Sequence, residues 1–330
     1  MKSQPARVGL VGFGSMGQNH ARVLDVMSET QLVGIFDPNY FGKSLVFEKL
    51  QCNSIEQLAT LNLDYCVIAT PTNTHVDIAC QLARYKVNLL IEKPIAINSD
   101  CAQQIIDCAS RNKIKAVVGH VERFNPAMVE ARKRLDLGQL GRITQIVASR
   151  QGPTPIRIKD VGVMTDLATH DIDSITWLTK SRISKISAEI IKKTSSIRED
   201  GLFLIGELSN GIKISMIINW INPVKERKTT IVGEYGTFVV DTLNSTLVFY
   251  ENSAIDLSME TISSFVGVSQ GNIHQYAFEK TEALKTEHNN MISYLRDNNH
   301  NSCSMLDAKK VLETIDLISK SDSHGQTVYQ

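Results

Sequence analysis

Arg7-Val-Gly-Leu-Val-Gly12-Phe-Gly14-Ser15-Met16-Gly17 runs a short apolar segment straight into a glycine-rich turn. A helical pattern, Gln18–Ser28, follows it. The run is apolar throughout rather than alternating, the pattern of a strand covered by helices on both faces. In this setting each glycine has a task. The first permits the tight turn, the second lets backbone approach a pyrophosphate, and the third lets helix and strand pack closely. The helix start would offer unpaired N–H groups and a partial positive charge to phosphates. Asp37 stands 20 residues past Gly17, at the end of the next apolar run, Leu32–Phe36. A carboxylate there accepts hydrogen bonds from ribose hydroxyls and repels a 2′-phosphate, so NAD is expected over NADP.

Outward from this turn the alternation persists. Helical patterns at Ile55–Leu61, about Thr74 to Arg84, and Ser99–Arg111 separate apolar runs at Tyr65–Ala69, Asn88–Ile91 and Ala116–Gly119. Strand and helix at this spacing predict right-handed βαβ units and a doubly wound parallel sheet. After about residue 140 the pattern changes. Ile143–Ser149, Ile183–Ile191, Leu202–Leu208, Ile212–Trp220, Thr229–Val232, Phe238–Asp241 and Leu247–Tyr250 read as strands. Asn210-Gly211 is a two-residue hairpin signal between two of them. Ile212, Ile214, Met216 and Ile218 share one face, as in a half-buried antiparallel strand. Near the end, Ser304-Met-Leu-Asp307 reads as a capping box opening a helix that buries Val311, Leu312 and Ile315. The expectation is an α/β chain: a Rossmann domain over 1–122 and an α+β domain over 123–330 with a large, mostly antiparallel open sheet. An apolar face left uncovered on that sheet would be buried by a homodimer or homotetramer.

Composition narrows the function. The 330 residues hold 35 Lys+Arg and 35 Asp+Glu, a balance that argues against a nucleic-acid backbone or an anionic membrane as partner. No apolar run is long enough to cross a bilayer, and the N-terminus leads directly into a strand without a signal peptide, so a cytoplasmic location is expected. The six cysteines form no CxxC pair and are read as reduced thiols.

Three further segments carry chemistry. Thr70-Pro71-Thr-Asn73-Thr-His75 and Glu92-Lys93-Pro94 each follow a strand at the carboxyl edge, where open α/β sheets bind ligands. Asp166-Leu-Ala-Thr-His170-Asp-Ile-Asp173 reads as a helix start with Asp166, His170 and Asp173 on one face. Asn73 and His75 either flank a cofactor or cap the following helix. Asp166 and His170 also have metal-pair spacing, but no third ligand stands at a fitting distance in the chain, and no metal is expected.

With these motifs in hand, the chain resembles the Gfo/Idh/MocA oxidoreductases. The resemblance rests on the glycine turn, Asp37, Glu92-Lys93-Pro94, Gly119 with Arg123-Phe-Asn125-Pro126, and the Asp166…His170 pair. Within that family it is most similar to the subgroup acting on the 3-hydroxyl of UDP-N-acetylglucosamine, through Gly152-Pro-Thr-Pro-Ile-Arg157-Ile-Lys159-Asp-Val-Gly162-Val and Asn219-Trp-Ile-Asn222-Pro223 followed by Lys225. The resemblance implies NAD as cofactor, held around Gly12, Gly14, Ser15, Met16, Gly17, Asp37, Thr70, Asn73, His75, Glu92 and Lys93. It implies a UDP-sugar near Arg123, Asn125, Arg157, Lys159, Asp166 and His170, with the 3-keto sugar as product. Lys93 would polarise the reacting oxygen, His170 would take the hydroxyl proton, and Asp166 would support the pair. Lys93 itself remains an alternative base. An uronic-acid sugar nucleotide, an inositol or free sugar, and a non-catalytic NAD-binding regulator are the alternative readings.

Overall fold

The computed structural model describes residues 4–39, 46–154, 161–193, 198–253, 270–298 and 300–330. Two compact units divide the chain: 1–124 with 281–313, and 125–280 with 314–330.

The first unit opens with β1 (Ala6–Val11), α1 (Ser15–Val26), β2 (Thr30–Phe36), α2 (Ile55–Ala59), β3 (Tyr65–Ile68) and α3 (His75–Arg84). It continues through β4 (Asn88–Glu92), α4 (Ser99–Asn112) and β5 (Ala116–Gly119). β2, β1, β3, β4 and β5 lie side by side in that order and run parallel. Successive strand residues enter different cores. Val11, Ile68, Ile91 and Val118 pack on one face, and Leu10, Val67, Leu90 and Val117 pack on the other. A side-chain period of two, apolar on both faces, therefore explains the unbroken apolar runs in the sequence. Because β1 pairs with β2 on one side and β3 on the other, chain direction across the sheet reverses at β1. The crevice at such a reversal lies outside the carboxyl ends of the strands, where the Gly12 turn begins.

The second unit carries α5 (Pro126–Asp136), β6 (Ile143–Pro153), α6 (Thr169–Thr179), β7 (Ile183–Ile191), β8 (Gly201–Leu208) and β9 (Lys213–Asn219). Then follow β10 (Ile221–Gly233), β11 (Gly236–Asp241), β12 (Thr246–Asn252) and β13 (Gln270–Gln275). With β15 (Val328–Tyr329) they form a nine-stranded sheet in the order β13-β12-β11-β10-β6-β9-β8-β7-β15. Among the described strands of this sheet, only β6 and β9 pair in parallel. The Asn210-Gly211 hairpin joins β8 to β9, with Gly211 at φ +88°, a backbone angle that a side chain disfavours. Leu202, Leu204, Ile214, Met216 and Ile218 are buried on one side of the sheet, while Phe203, Ile205 and Ile217 are exposed on the other.

Three expectations need correction. The segment 281–313 belongs to the first unit, not to a continuous second domain. There α7 (Ala283–Asp297) buries Met291 and Ile292 in the β1–β3 core, and β14 (Cys303–Ser304) pairs with β5. The final helix α8 (Met305–His324) opens on the expected cap, Ser304 Oγ accepting from Asp307 N at 3.1 Å, and buries Val311 and Leu312 but leaves Ile315 half-buried. Cys80 of α3 and Cys108 of α4 form a disulfide, against the expectation of reduced thiols. The two helices pack together and bring the Cα atoms to 5.5 Å, within disulfide range. Finally, β10 runs from Ile221, well ahead of the expected Thr229, because its polar half pairs with the extended end of β6 through backbone bonds.

Candidate active site

The turn after β1 leaves an open cradle in front of α1. Gly12 has φ +92°, and a Cβ there would stand 2.5 Å from the Ala69 carbonyl oxygen. At Gly17 a Cβ would overlap the Gly12 carbonyl oxygen, so only glycine lets α1 approach the turn. Gly14 meets nothing within 4 Å and is exposed, leaving the space in front of α1 open. Ser15 begins the helix and is exposed, Met16 is half-buried, and no acidic residue occupies the first turn. Asp37 closes the cradle from β2. Its carboxylate accepts from Phe13 N and Asn39 N, each at 2.7 Å. Open glycine, an uncapped helix start and a fixed carboxylate fit a dinucleotide.

Two more loops meet this carboxyl edge. Thr70 follows β3, and its hydroxyl accepts from Thr74 at 2.8 Å. Asn73 is exposed on the turn Thr72–Thr74. His75 is buried, its ring standing 3.0 Å from the Thr70 carbonyl and 3.2 Å from that of Ile95. Burial pushes its imidazole below the ordinary value, and the neutral ring, with a single N–H, can donate to one of these two carbonyls. In that turn the Lys93–Pro94 peptide is cis, and Lys93 is half-buried. Glu92 points inward: Oε1 meets His20 Nε2 at 2.9 Å, and Oε2 accepts from Lys93 N at 3.1 Å. Burial opposes its charge, but the His20 bond and the Lys93 charge hold the carboxyl below the usual range. Arg123, in the short turn Val121–Phe124, is buried and donates to the Ser302 carbonyl at 3.4 Å.

In the second unit, Asp166 lies in a π-helical turn, Met164–Ala168, directly ahead of α6. His170 is the second residue of α6, and both side chains are half-buried, while Asp173 is fully buried. The expected α-helix thus opens with a wider turn, a feature often found at functional sites. Glu199 supports this start, its carboxylate accepting from Met164 N at 3.1 Å; a Cβ on Gly162 would overlap that carboxylate. Asn125 caps α5 through Oδ1 and donates through Nδ2 to the Thr242 carbonyl at 2.9 Å, so the fold engages both ends of its amide. Asn219 and Asn222 both donate to Gln151 Oε1, and the Trp220 indole donates to buried Asp200 at 2.9 Å. Arg157 and Lys159 lie outside the described residues.

Sequence reading passed over several side chains that now stand beside these groups. Arg150 of β6 pairs with Asp171 of α6 at 2.5 Å, both buried, one residue from His170. His20 contacts His288 across 268 residues of chain. Neither pair has a sequence spacing that would announce it; only the position of His20 three residues past Gly17 was a hint.

Comparison with known proteins places these features in a lineage. The NAD-binding Rossmann-fold description of the Gfo/Idh/MocA oxidoreductases matches residues 6–120, and the C-terminal domain description of the same family matches 128–239. A UDP-N-acetylglucosamine 3-dehydrogenase from Acidithiobacillus ferrooxidans is 28% identical over 250 residues, 75% of this chain and 78% of that protein. An inositol 2-dehydrogenase from Corynebacterium glutamicum is 27% identical over 229 residues, 66% of this chain and 68% of that one. Among solved structures, the Acidithiobacillus enzyme superposes with a TM-score of 0.82 at 24% identity, covering 96% of this chain and 97% of its own. An NAD-binding protein from Listeria innocua gives 0.82 at 18% identity, covering 99% and 97%. The chain belongs to the Gfo/Idh/MocA family and is an NAD-dependent dehydrogenase.

Proposed function

We propose that the enzyme oxidises the 3-hydroxyl of a UDP-sugar, UDP-N-acetylglucosamine foremost, to the 3-keto sugar, a step that feeds 3-amino sugar synthesis for lipid A or surface polysaccharide. The observation that carries this reading is the similarity, over 75% of the chain, to a UDP-N-acetylglucosamine 3-dehydrogenase. The resemblance of the run Gly152 to Asp173 to that subgroup, read from the sequence, supports it independently.

Bound NAD supplies the hydride acceptor. Lys93 presents an ammonium where negative charge grows on the oxidised oxygen, an interaction stronger in the transition state than in the ground state. His170 takes the hydroxyl proton, and Asp166 supports the developing imidazolium. The Arg150–Asp171 pair fixes the first turn of α6 and so the backbone that carries His170. Arg157 and Lys159 remain the proposed diphosphate ligands, since guanidinium and ammonium groups suit phosphate oxygens.

Inositol oxidation is a second reading, supported by the inositol 2-dehydrogenase relative. The uronic acid of UDP-N-acetylglucosamine is the third substrate worth testing. NADH formation from NAD with UDP-N-acetylglucosamine, its uronic acid and myo-inositol separates them, with Lys93→Ala and His170→Ala run beside the wild type. Turnover of a UDP-sugar that both substitutions abolish is the expected result. Turnover of inositol alone overturns the UDP-sugar assignment.

The protein would work in the cytoplasm; no described helix is long and apolar enough to cross a membrane. The exposed sheet face with Phe203, Ile205 and Ile217 supports a homodimer or homotetramer.

A further inference from the structure

Inside the first unit, four buried side chains from four elements form one continuous hydrogen-bonded line. Tyr65 Oη of β3 lies 2.9 Å from His288 Nδ1 of α7, and His288 Nε2 lies 3.0 Å from His20 Nδ1 of α1. His20 Nε2 then lies 2.9 Å from Glu92 Oε1 of β4, whose other oxygen accepts from Lys93 N at 3.1 Å. Elements far apart in sequence thus converge on the carboxylate that precedes Lys93.

We propose that this line keeps Glu92 ionised and fixed in place, and through it positions Lys93, which makes His20 and His288 positioning residues for hydride transfer. The inference rests on the reading of Lys93 as the group that acts on the reacting oxygen.

The donors and acceptors allow one direction for neutral rings. An ionised Glu92 only accepts, so His20 donates from Nε2. His20 Nδ1 is then an acceptor and takes the proton of His288 Nε2–H. His288 Nδ1 in turn accepts from the Tyr65 hydroxyl, which stays protonated because burial pushes it well above its ordinary value. Burial likewise pushes His288 well below its ordinary value, which favours the neutral ring. Glu287, beside it on α7, is buried with no hydrogen-bond partner for either oxygen among the described residues. Burial and the Glu92 charge push its carboxyl well above the usual range, which disfavours its charged form. His75 from α3 feels the Glu92 charge but is itself neutral. Glu92 is thus the carboxyl of the line whose charge is favoured, Lys93 is the cation facing it, and Asp64 acts on Tyr65 at the far end.

The pH consequence follows from the sign of the Glu92 shift. Its carboxyl lies below the ordinary value despite burial, because His20 donates to it and Lys93 sits beside it. Removing the His20 donor leaves burial in place, so the carboxyl moves up and its charge is lost at a higher pH. The part of the acid limb of kcat/KM that Glu92 sets, distinct from that of the His170 base, should move up with it.

The test compares wild type, Lys93→Ala, His20→Leu, His20→Gln and Tyr65→Phe with NAD and UDP-N-acetylglucosamine, and with myo-inositol where the sugar nucleotide is not turned over. His20→Leu should lower kcat about ten- to a hundredfold, the scale of a misplaced catalytic group, with a much smaller change in KM for NAD. The Glu92 part of its acid limb should rise. Gln puts an amide N–H near the lost Nε2–H, so His20→Gln should restore the limb. Tyr65→Phe removes only the far end of the line and should shift the limb less. A fall in kcat with an unmoved limb, or no recovery in His20→Gln, overturns the proposal in favour of a packing role. Full turnover by Lys93→Ala would instead remove the Lys93 reading.

Histidine ¹⁵N NMR of the wild-type protein without cofactor decides the case should His20→Leu not fold. In alkaline buffer His20 and His288 should both carry their proton on Nε2, and an Nδ1–H tautomer on either ring overturns the line.

Discussion

Gly14 and Gly17 sit three positions apart, and a methyl group would meet opposite surroundings at each. At Gly17 it would overlap the carbonyl oxygen of Gly12, backbone against backbone, so α1 or the turn must move. At Gly14 it would meet nothing within 4 Å and would stand in the space a pyrophosphate needs. Gly14 has φ −74°, an angle alanine adopts without strain. Gly17→Ala should therefore cost about 1–3 kcal/mol of stability, as overpacking does, and lower the melting temperature by several degrees. Gly14→Ala should melt within about 1 kcal/mol of wild type, since alanine is only a poorer N-cap. It should nevertheless lose about tenfold or more in NAD affinity, or about 1.4 kcal/mol. Differential scanning calorimetry and NAD titration calorimetry read the two effects separately. Unchanged NAD affinity in Gly14→Ala would mean that the open space at Gly14 has no ligand role. The glycine spacing was legible in the sequence, yet only the backbone distances distinguish the glycine that packs from the one that faces open space.

At the scale of elements, legibility followed what makes each element form. β5 and β7 were read from sequence at the bounds the structure gives, Ala116–Gly119 and Ile183–Ile191. Their side chains bury an apolar face, and periodicity reports that directly. β6 and β10 extend beyond their apolar cores because a backbone ladder continues through Arg150, Gln151, Glu226 and Arg227. Ladder bonds leave no trace in hydropathy. The start of α6 was missed in another way: a π-helical turn and an α-helical turn place apolar residues at nearly the same intervals, so Asp166–Asp173 reads as plain helix. The ion pair that anchors this helix was hidden as well, since Arg150 and Asp171 are adjacent only after β6 and α6 pack. Removing one partner of a buried pair leaves the other's charge uncompensated, at a cost of about 3–5 kcal/mol. Arg150→Leu should lose that much in thermal or denaturant unfolding. Arg150→Leu with Asp171→Leu should recover a substantial part, because the remaining charge is gone as well. Strictly additive losses in the double-mutant cycle would show that the pair carries no coupling.

At the scale of the whole molecule, the chain leaves the first unit after Phe124 and returns to it for 281–313. The sequence pattern of α7 could not announce this, because an amphipathic helix states that it has a buried face and not which core receives it. The nine-stranded sheet poses the complementary problem. Its strands alternate, with Leu202, Leu204, Met216 and Ile218 buried on one side. On the other, Phe203 is 46% exposed, Ile205 65% and Ile217 37%, and Phe203 and Ile217 are register partners on adjacent strands. Large apolar side chains gathered this way are unfavourable in water and are covered by association. A standard interface of about 1,600 Å² is small enough for such a sheet face to supply. The wild-type protein should therefore run as a dimer or tetramer in size-exclusion chromatography with light scattering. Ile205→Lys with Phe203→Glu should shift it toward monomer, because charges placed opposite their own copies would be buried at the interface. Both side chains are exposed in the single chain, so far-UV circular dichroism should be unchanged. A wild-type monomer at micromolar concentration would count against association through this face. A variant that stays oligomeric with its fold intact would instead move the interface to another surface of the molecule.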